Sequence, residues 1–124
     1  IYLFQQGNIR FLVNVQPASL AEHFAYEHGP SCCGMGFRVK NAQEAFARAV
    51  SLGATPFTST VNPGELKFPA IFGIGGSVIY FIDAMHAEAF YQQTLKIAAD
   101  APLISGVGLQ SIDHLTHNLR RGNM

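Results

Sequence analysis

Near the end of the chain, residues 111–119 read Ser-Ile-Asp-His-Leu-Thr-His-Asn-Leu, and four of these side chains could do chemistry: Asp113, His114, Thr116 and His117. Imidazole is the commonest metal-ligating side chain and changes charge near neutral pH, so two histidines three apart suggest metal binding or proton transfer. The spacing means opposite things in the two regular structures. On a helix, His114 and His117 would share a face and form a ligand pair. On a strand, side chains alternate: His114 groups with Ile112 and Thr116, and Asp113 groups with Leu115 and His117. The run from Gln110 to Leu119 alternates and has no helix cap of its own, so residues 108–119 read as a strand. Only one histidine can then face a given pocket, and for either one alone the competing reading is an ordinary hydrogen-bonded histidine.

The other candidates favour structural roles. His23 and His28 lie around the end of the first predicted helix, where His28 would complement the helix dipole. His86, read as a loop residue, has no partner at a metal-ligand spacing, and Asp83 reads as a cap for the turn or helix after it. Gly73–Ser77 lacks the Gly-Lys-Ser/Thr ending of a phosphate loop and precedes a strand, so its glycines read as a tight turn. The only cysteines, Cys32 and Cys33, are adjacent, too constrained for an ordinary disulfide, and read as buried reduced thiols. The Arg120-Arg121 pair reads as solvated.

Composition narrows the class. Of 124 residues, 48% are apolar, which suffices for a packed core. Eight basic residues balance eight acidic ones, and no basic stripe speaks for nucleic acid. No apolar run approaches the ~18 residues of a membrane span, and no signal peptide opens the chain, so a soluble cytoplasmic protein is expected. The chain begins with Ile1 inside a strand-like run and ends just after another, so both ends read as cut.

The elements that must position these residues can be read from periodicity. Residues 1–15 read as a hairpin about Gly7-Asn8, with Ile9, Phe11, Val13 and Val15 on one face. Pro17–His28 reads as a helix with Ser19 and Glu22 at capping-box spacing and Gly29-Pro30 as its stop. A strand over Cys32–Val39 comes next, then a helix capped by Asn41 with apolar positions Ala42, Ala45, Phe46, Ala49 and Val50, closed by Gly53. Extended segments at 54–60, 65–73 and 76–83, with a turn at Asn62-Pro63-Gly64, precede a helix over 87–99. The order is ββα, βαβββ, α, β, with a complete βαβββ unit over about 33–83.

The blocks QGNIRFLVN (6–14), HGPSCCGMGFRVKNAQEAFARAVSLGA (28–54), GELKFPAIFGIGGSVIYFID (64–83) and GLQSIDHLTHNLRRGNM (108–124) together resemble 4-hydroxyphenylpyruvate dioxygenase of the bacterial type. The resemblance implies an α+β vicinal-oxygen-chelate fold, glyoxalase/bleomycin-resistance-like, of βαβββ modules with a mixed curved sheet. It implies that residues 1–100 form a non-catalytic N-terminal domain whose first module is truncated. Residues 101–124 would be a linker and the first strand of a catalytic domain outside this chain. It further implies Fe(II) held by two histidines and a carboxylate, with open positions for substrate and dioxygen. The family's first histidine ligand maps onto His114, Thr116 would line the pocket beside it, and His117 is not carried over. The implied partners are a small 2-oxo acid and O2, with no nucleic acid and no membrane, in a homo-oligomer (dimer or tetramer). The implied reaction converts 4-hydroxyphenylpyruvate to homogentisate and CO2 in tyrosine catabolism. With one ligand, this span alone is expected to be inactive and not to hold iron tightly. The alternatives are 4-hydroxymandelate synthase, with the same fold and iron but a different product, and a non-catalytic glyoxalase-like binding domain.

Overall fold

The computed structural model describes residues 1–58, 68–93, 95 and 105–122. Its elements run β1 (Tyr2–Gln6), β2 (Ile9–Val13), α1 (Leu20–His28), β3 (Gly34–Arg38), α2 (Ala42–Ser51), β4 (Ala70–Phe72), β5 (Val78–Ile82) and α3 (Ala84–Gln93), with a 3-10 turn at Ile74–Gly76 before β5. The expected turn at Asn62-Pro63-Gly64 lies outside the described residues, as does the expected helical stretch 96–99.

The hairpin forms as the alternation predicts. Gly7 takes a φ of 56°, and β1 pairs antiparallel with β2 from Gln6↔Ile9 to Tyr2↔Val13. Its expected apolar face is covered only at Ile9; Phe11 and Val13 are 52% and 44% exposed. Among the described residues these two strands pair only with each other, and a two-stranded ribbon cannot bury its own faces.

Both predicted helix starts are built by local side chains. In α1 the Ser19 hydroxyl accepts from the Glu22 amide at 3.2 Å, and the Glu22 carboxylate accepts from the Ala18 amide at 2.6 Å, one residue earlier than a capping box requires. Gly29, at φ 78°, ends that helix by donating to the Ala25 carbonyl. In α2 the Asn41 side chain accepts from the Gln43 and Glu44 amides at 3.0 and 3.1 Å. Ala42 is fully buried, and Ala45, Phe46, Ala49 and Val50 are covered while the rest of the helix is exposed, as the 3.6-residue period demands.

The middle module is a three-stranded sheet ordered β3-β5-β4, with β3 parallel and β4 antiparallel to the central β5. Residues 55–57 flank β4, where the Phe57 amide donates to the Ala70 carbonyl and the Phe72 amide to the Thr55 carbonyl, both at 2.9 Å. With α2 as the crossover this is an α+β arrangement in a mixed sheet, consistent with the expected βαβββ unit, although among the described residues the strand expected at 54–60 makes only a single bridge, Pro56↔Ile71. The glycines of β3 set how closely β5 approaches. A Cβ on Gly36 would lie 2.6 Å from Ile82 Cδ1, and one on Gly34 would lie 3.0 Å from Tyr80 Cε2, so both β5 side chains lean over the bare strand. The Gly73–Ser77 stretch is a tight turn, as expected, with buried Ser77 donating its hydroxyl proton to the Ile74 carbonyl at 2.7 Å.

Asp83 closes the module. One carboxylate oxygen accepts from the His86 amide at 3.0 Å, capping α3, which therefore begins at Ala84 rather than Ala87. The other oxygen accepts from the Ala42 amide at 3.2 Å, capping α2 as well. His86 is thus a helix residue, not a loop residue, and its Nδ1 lies 2.7 Å from the same carboxylate. Hydrogen bonds from the His86 amide, the His86 ring and the Ala42 amide hold the Asp83 carboxyl below its ordinary value of 3.8.

These caps can be tested by substitution. Asn41→Ala should cost ~1 kcal/mol in chemical denaturation, because two α2 amides lose their acceptor. A depressed folded pKa means that the contribution of Asp83 is complete above the ordinary carboxylate value and is lost as pH falls through the depressed one. Asp83→Asn should therefore lower Tm at neutral pH and flatten the acid limb of a Tm-versus-pH profile.

The C-terminal segment and its candidate metal ligand

The residues singled out for chemistry lie in the segment 105–122, which forms no helix or strand through Arg120. The strand expected over 108–119 is not present among the described residues. A strand exists by backbone pairing, and no described strand pairs with this segment. The alternation argument that separated His114 from His117 therefore has no ladder to act on here. Asp113, His114, Thr116 and His117 are all exposed.

The segment is attached to the fold at both ends. The Gln6 side chain, at the end of β1, donates to the Leu109 carbonyl at 2.9 Å and accepts from the Val107 amide at 3.0 Å. Further on, half-covered Leu119 packs over the 3-10 turn, where a Cβ on Gly75 would lie 3.5 Å from its Cδ2. The hairpin also reaches α3, through the Arg10 guanidinium 4.5 Å above the Tyr91 ring.

Between those attachments, His114 Nδ1 lies 2.6 Å from Asp113 Oδ2. A carboxylate accepts, so in the neutral ring the proton sits on Nδ1 and the Nε2 lone pair points away from Asp113. This is the arrangement in which a carboxylate orients a metal-ligating imidazole. His114 is 72% exposed, so Nε2 is accessible. His117 gains no such partner among the hydrogen bonds of the described residues, which include no cluster of three or more His, Cys, Asp or Glu side chains able to enclose a metal ion.

The remaining candidates have structural partners. His23 lies 3.5 Å from Glu27, and His28 stacks on Phe24 with ring centroids 4.4 Å apart in the last turn of α1. The cysteines depart from expectation: Cys32 is exposed and Cys33 only half-buried, because they precede β3, which lies at the edge of the sheet formed by the described strands. Cys32 donates its thiol proton to the Gly34 carbonyl, while burial and then its Cys32 neighbour push the Cys33 thiol pKa up. Sequence reasoning gave Gln6 no role. The signal was only a glutamine at the hairpin turn, and its partner lies 103 positions away. No helix among the described residues is long and apolar enough to cross a membrane.

Comparison with known proteins agrees with this architecture. Residues 1–96 match the family described as hydroxyphenylpyruvate dioxygenase, N-terminal. Hemolysin VllY of Vibrio vulnificus is 48% identical over 99% of this chain and 35% of its own length. The 4-hydroxyphenylpyruvate dioxygenase of a Pseudomonas species (strain P.J. 874) is 45% identical over the whole chain, again 35% of the relative. A 3-dehydroshikimate dehydratase of Pseudomonas aeruginosa is 31% identical over 93% of this chain and 18% of its own length. Among solved structures, a xylose isomerase-like TIM barrel/4-hydroxyphenylpyruvate dioxygenase fusion protein superposes on 73% of this chain and 14% of its own, with a TM-score of 0.62 at 34% identity. This chain thus spans about a third of the length of the more similar curated relatives. With most of its length matched by one family and its βαβββ unit built as a vicinal-oxygen-chelate module, the chain belongs to the hydroxyphenylpyruvate dioxygenase N-terminal family.

Proposed function

We propose that this chain is the N-terminal part of an Fe(II)-dependent dioxygenase that converts 4-hydroxyphenylpyruvate and O2 to homogentisate and CO2 in the cytoplasm. The observation that carries the reading is the carboxylate-oriented imidazole of His114, at the end of a chain 45% identical throughout to a relative named 4-hydroxyphenylpyruvate dioxygenase. On this reading residues 1–100 are a non-catalytic domain whose first module is incomplete here, consistent with the uncovered apolar side chains of β1 and β2. Residues 101–124 lead into the catalytic domain, whose strands would supply the ladder that 108–119 lacks. The same uncovered surface favours assembly into a dimer or tetramer.

The residues present fit one position of an iron site. His114 offers Nε2 as a nitrogen donor while its Nδ1 faces the Asp113 carboxylate; the other ligands must come from outside the described residues. Bound Fe(II) would supply dioxygen activation for decarboxylation and ring hydroxylation. The chain's own part is to present Nε2 of His114 and to keep the Nδ1 proton on the Asp113 side. Thr116, two residues on, would place a hydroxyl in the pocket as donor or acceptor toward the substrate.

A second arrangement, the same module fused to a different enzyme, is favoured by the dehydratase relative and by the fusion protein. The lower identity to both ranks it behind the first.

Three measurements test the reading. In the full-length protein, His114→Ala should abolish stoichiometric Fe(II) binding, whereas His117→Ala should leave it intact; iron retained in the first variant would remove His114 from the site. Chromatography of the product should show homogentisate, while hydroxymandelate would identify a 4-hydroxymandelate synthase and absence of turnover a binding domain. In 15N spectra the ring of His114 should be protonated at Nδ1 when neutral, and Asp113→Ala should shift population toward the other tautomer and weaken Fe(II) binding roughly 10- to 100-fold.

A further inference from the structure

The Gln6 amide uses both of its polar ends on one distant backbone segment. Nε2 donates to the Leu109 carbonyl at 2.9 Å and Oε1 accepts from the Val107 amide at 3.0 Å. The two contacts define the amide orientation, because a flipped group would face donor with donor and acceptor with acceptor. Gln6 is itself fixed: it ends β1 and is in register with Ile9, the buried residue of the hairpin. The residue opposite the amide is Gly106, where a Cβ would lie 2.5 Å from Gln6 Cδ and 2.6 Å from Oε1. Any side chain there would have to push the amide off one or both partners. The hairpin and the 106–109 backbone are therefore shaped to one another.

The placement of this contact gives it a use. His114 stands midway between the Leu109 attachment and Leu119, which packs over the Gly75 turn. A segment held at both ends samples far fewer conformations than one held at a single end. We propose that Gln6 is a positioning residue: its amide clamps the 106–109 backbone to the N-terminal hairpin and so restricts where the Asp113–His114 pair can sit. The clamp stands on the hydrogen bonds alone, whereas its consequence for iron rests on the reading of His114 as a ligand. The hairpin of a non-catalytic domain thereby acts on the metal site without touching it.

The test uses the full-length protein and three variants, Gln6→Leu, Gln6→Glu and Gly106→Ala, each measured by amide hydrogen exchange at Val107 and by Fe(II) titration. Gln6→Leu removes both hydrogen bonds at similar volume, and Val107 exchange should rise about five-fold or more, the factor carried by one net hydrogen bond. Gln6→Glu keeps the acceptor for Val107 and should leave that amide protected while Leu109 loses its donor. Gly106→Ala should mimic Gln6→Leu from the other side of the contact. Gln6→Leu and Gly106→Ala should also weaken Fe(II) binding several-fold with hairpin amides such as Ile9 still protected, a change that simple loss of stability would not produce. Unchanged Val107 exchange in Gln6→Leu would overturn the clamp. Faster exchange with unaltered Fe(II) affinity would overturn the positioning role. Full iron binding by His114→Ala would instead overturn the ligand reading, leaving the exchange data to decide the clamp.

Discussion

The carboxylate of Asp83 is where this fold is tied together. β5 ends on it, α3 begins on it, and α2 presents its first amide to it from 41 positions earlier in the chain. The amino ends of two helices, each carrying partial positive charge, thus converge on one anion. That geometry holds α2 against the sheet at the end where fully buried Ala42 must sit, and it sets the direction in which α3 leaves. α3 in turn carries Tyr91 under the Arg10 guanidinium, so the hairpin reaches the module through an element that Asp83 initiates.

The features legible in the chain beforehand are those decided within a few residues. Ser19 and Asn41 are caps because their acceptors reach amides two or three positions ahead, and the covered face of α2 is set by period alone. Gly7 and Gly29 likewise mark a turn and a helix end that need a positive φ. Features that depend on a distant partner were not legible. Asp83 was readable as a cap for the helix beginning at Ala84, but not for Ala42. Nothing in the local sequence marks Gly34 and Gly36 as the positions over which Tyr80 and Ile82 lean. The expected burial of Cys32 and Cys33 failed because residue type says nothing about whether a strand lies at an edge.

The candidate site shows the same division at its sharpest. The adjacent Asp113 and His114 make a complete local unit, an imidazole with one nitrogen committed to a carboxylate and the other exposed. Nothing local can make a coordination sphere from it: one imidazole and one carboxylate are too few, and the described residues include no cluster of three or more His, Cys, Asp or Glu side chains able to enclose a metal ion. The alternation of residues 108–119 suits a strand, but without a neighbour the segment is held by a side-chain amide and a leucine contact rather than by a ladder.

The parallel pairing of β3 with β5 has a bearing on how the chain assembles. Partners such as Gly34 and Val78 meet only after the α2 crossover and the β4 turn between them have been brought into place, so the central strand docks against contacts remote in sequence. Loop-closure entropy is met before those contacts return anything, which makes this step slow relative to formation of the hairpin or of α2. Until it is complete, the Val-Ile-Tyr-Phe-Ile run of β5 has an open edge on the side that β3 will cover, where another chain could pair during synthesis.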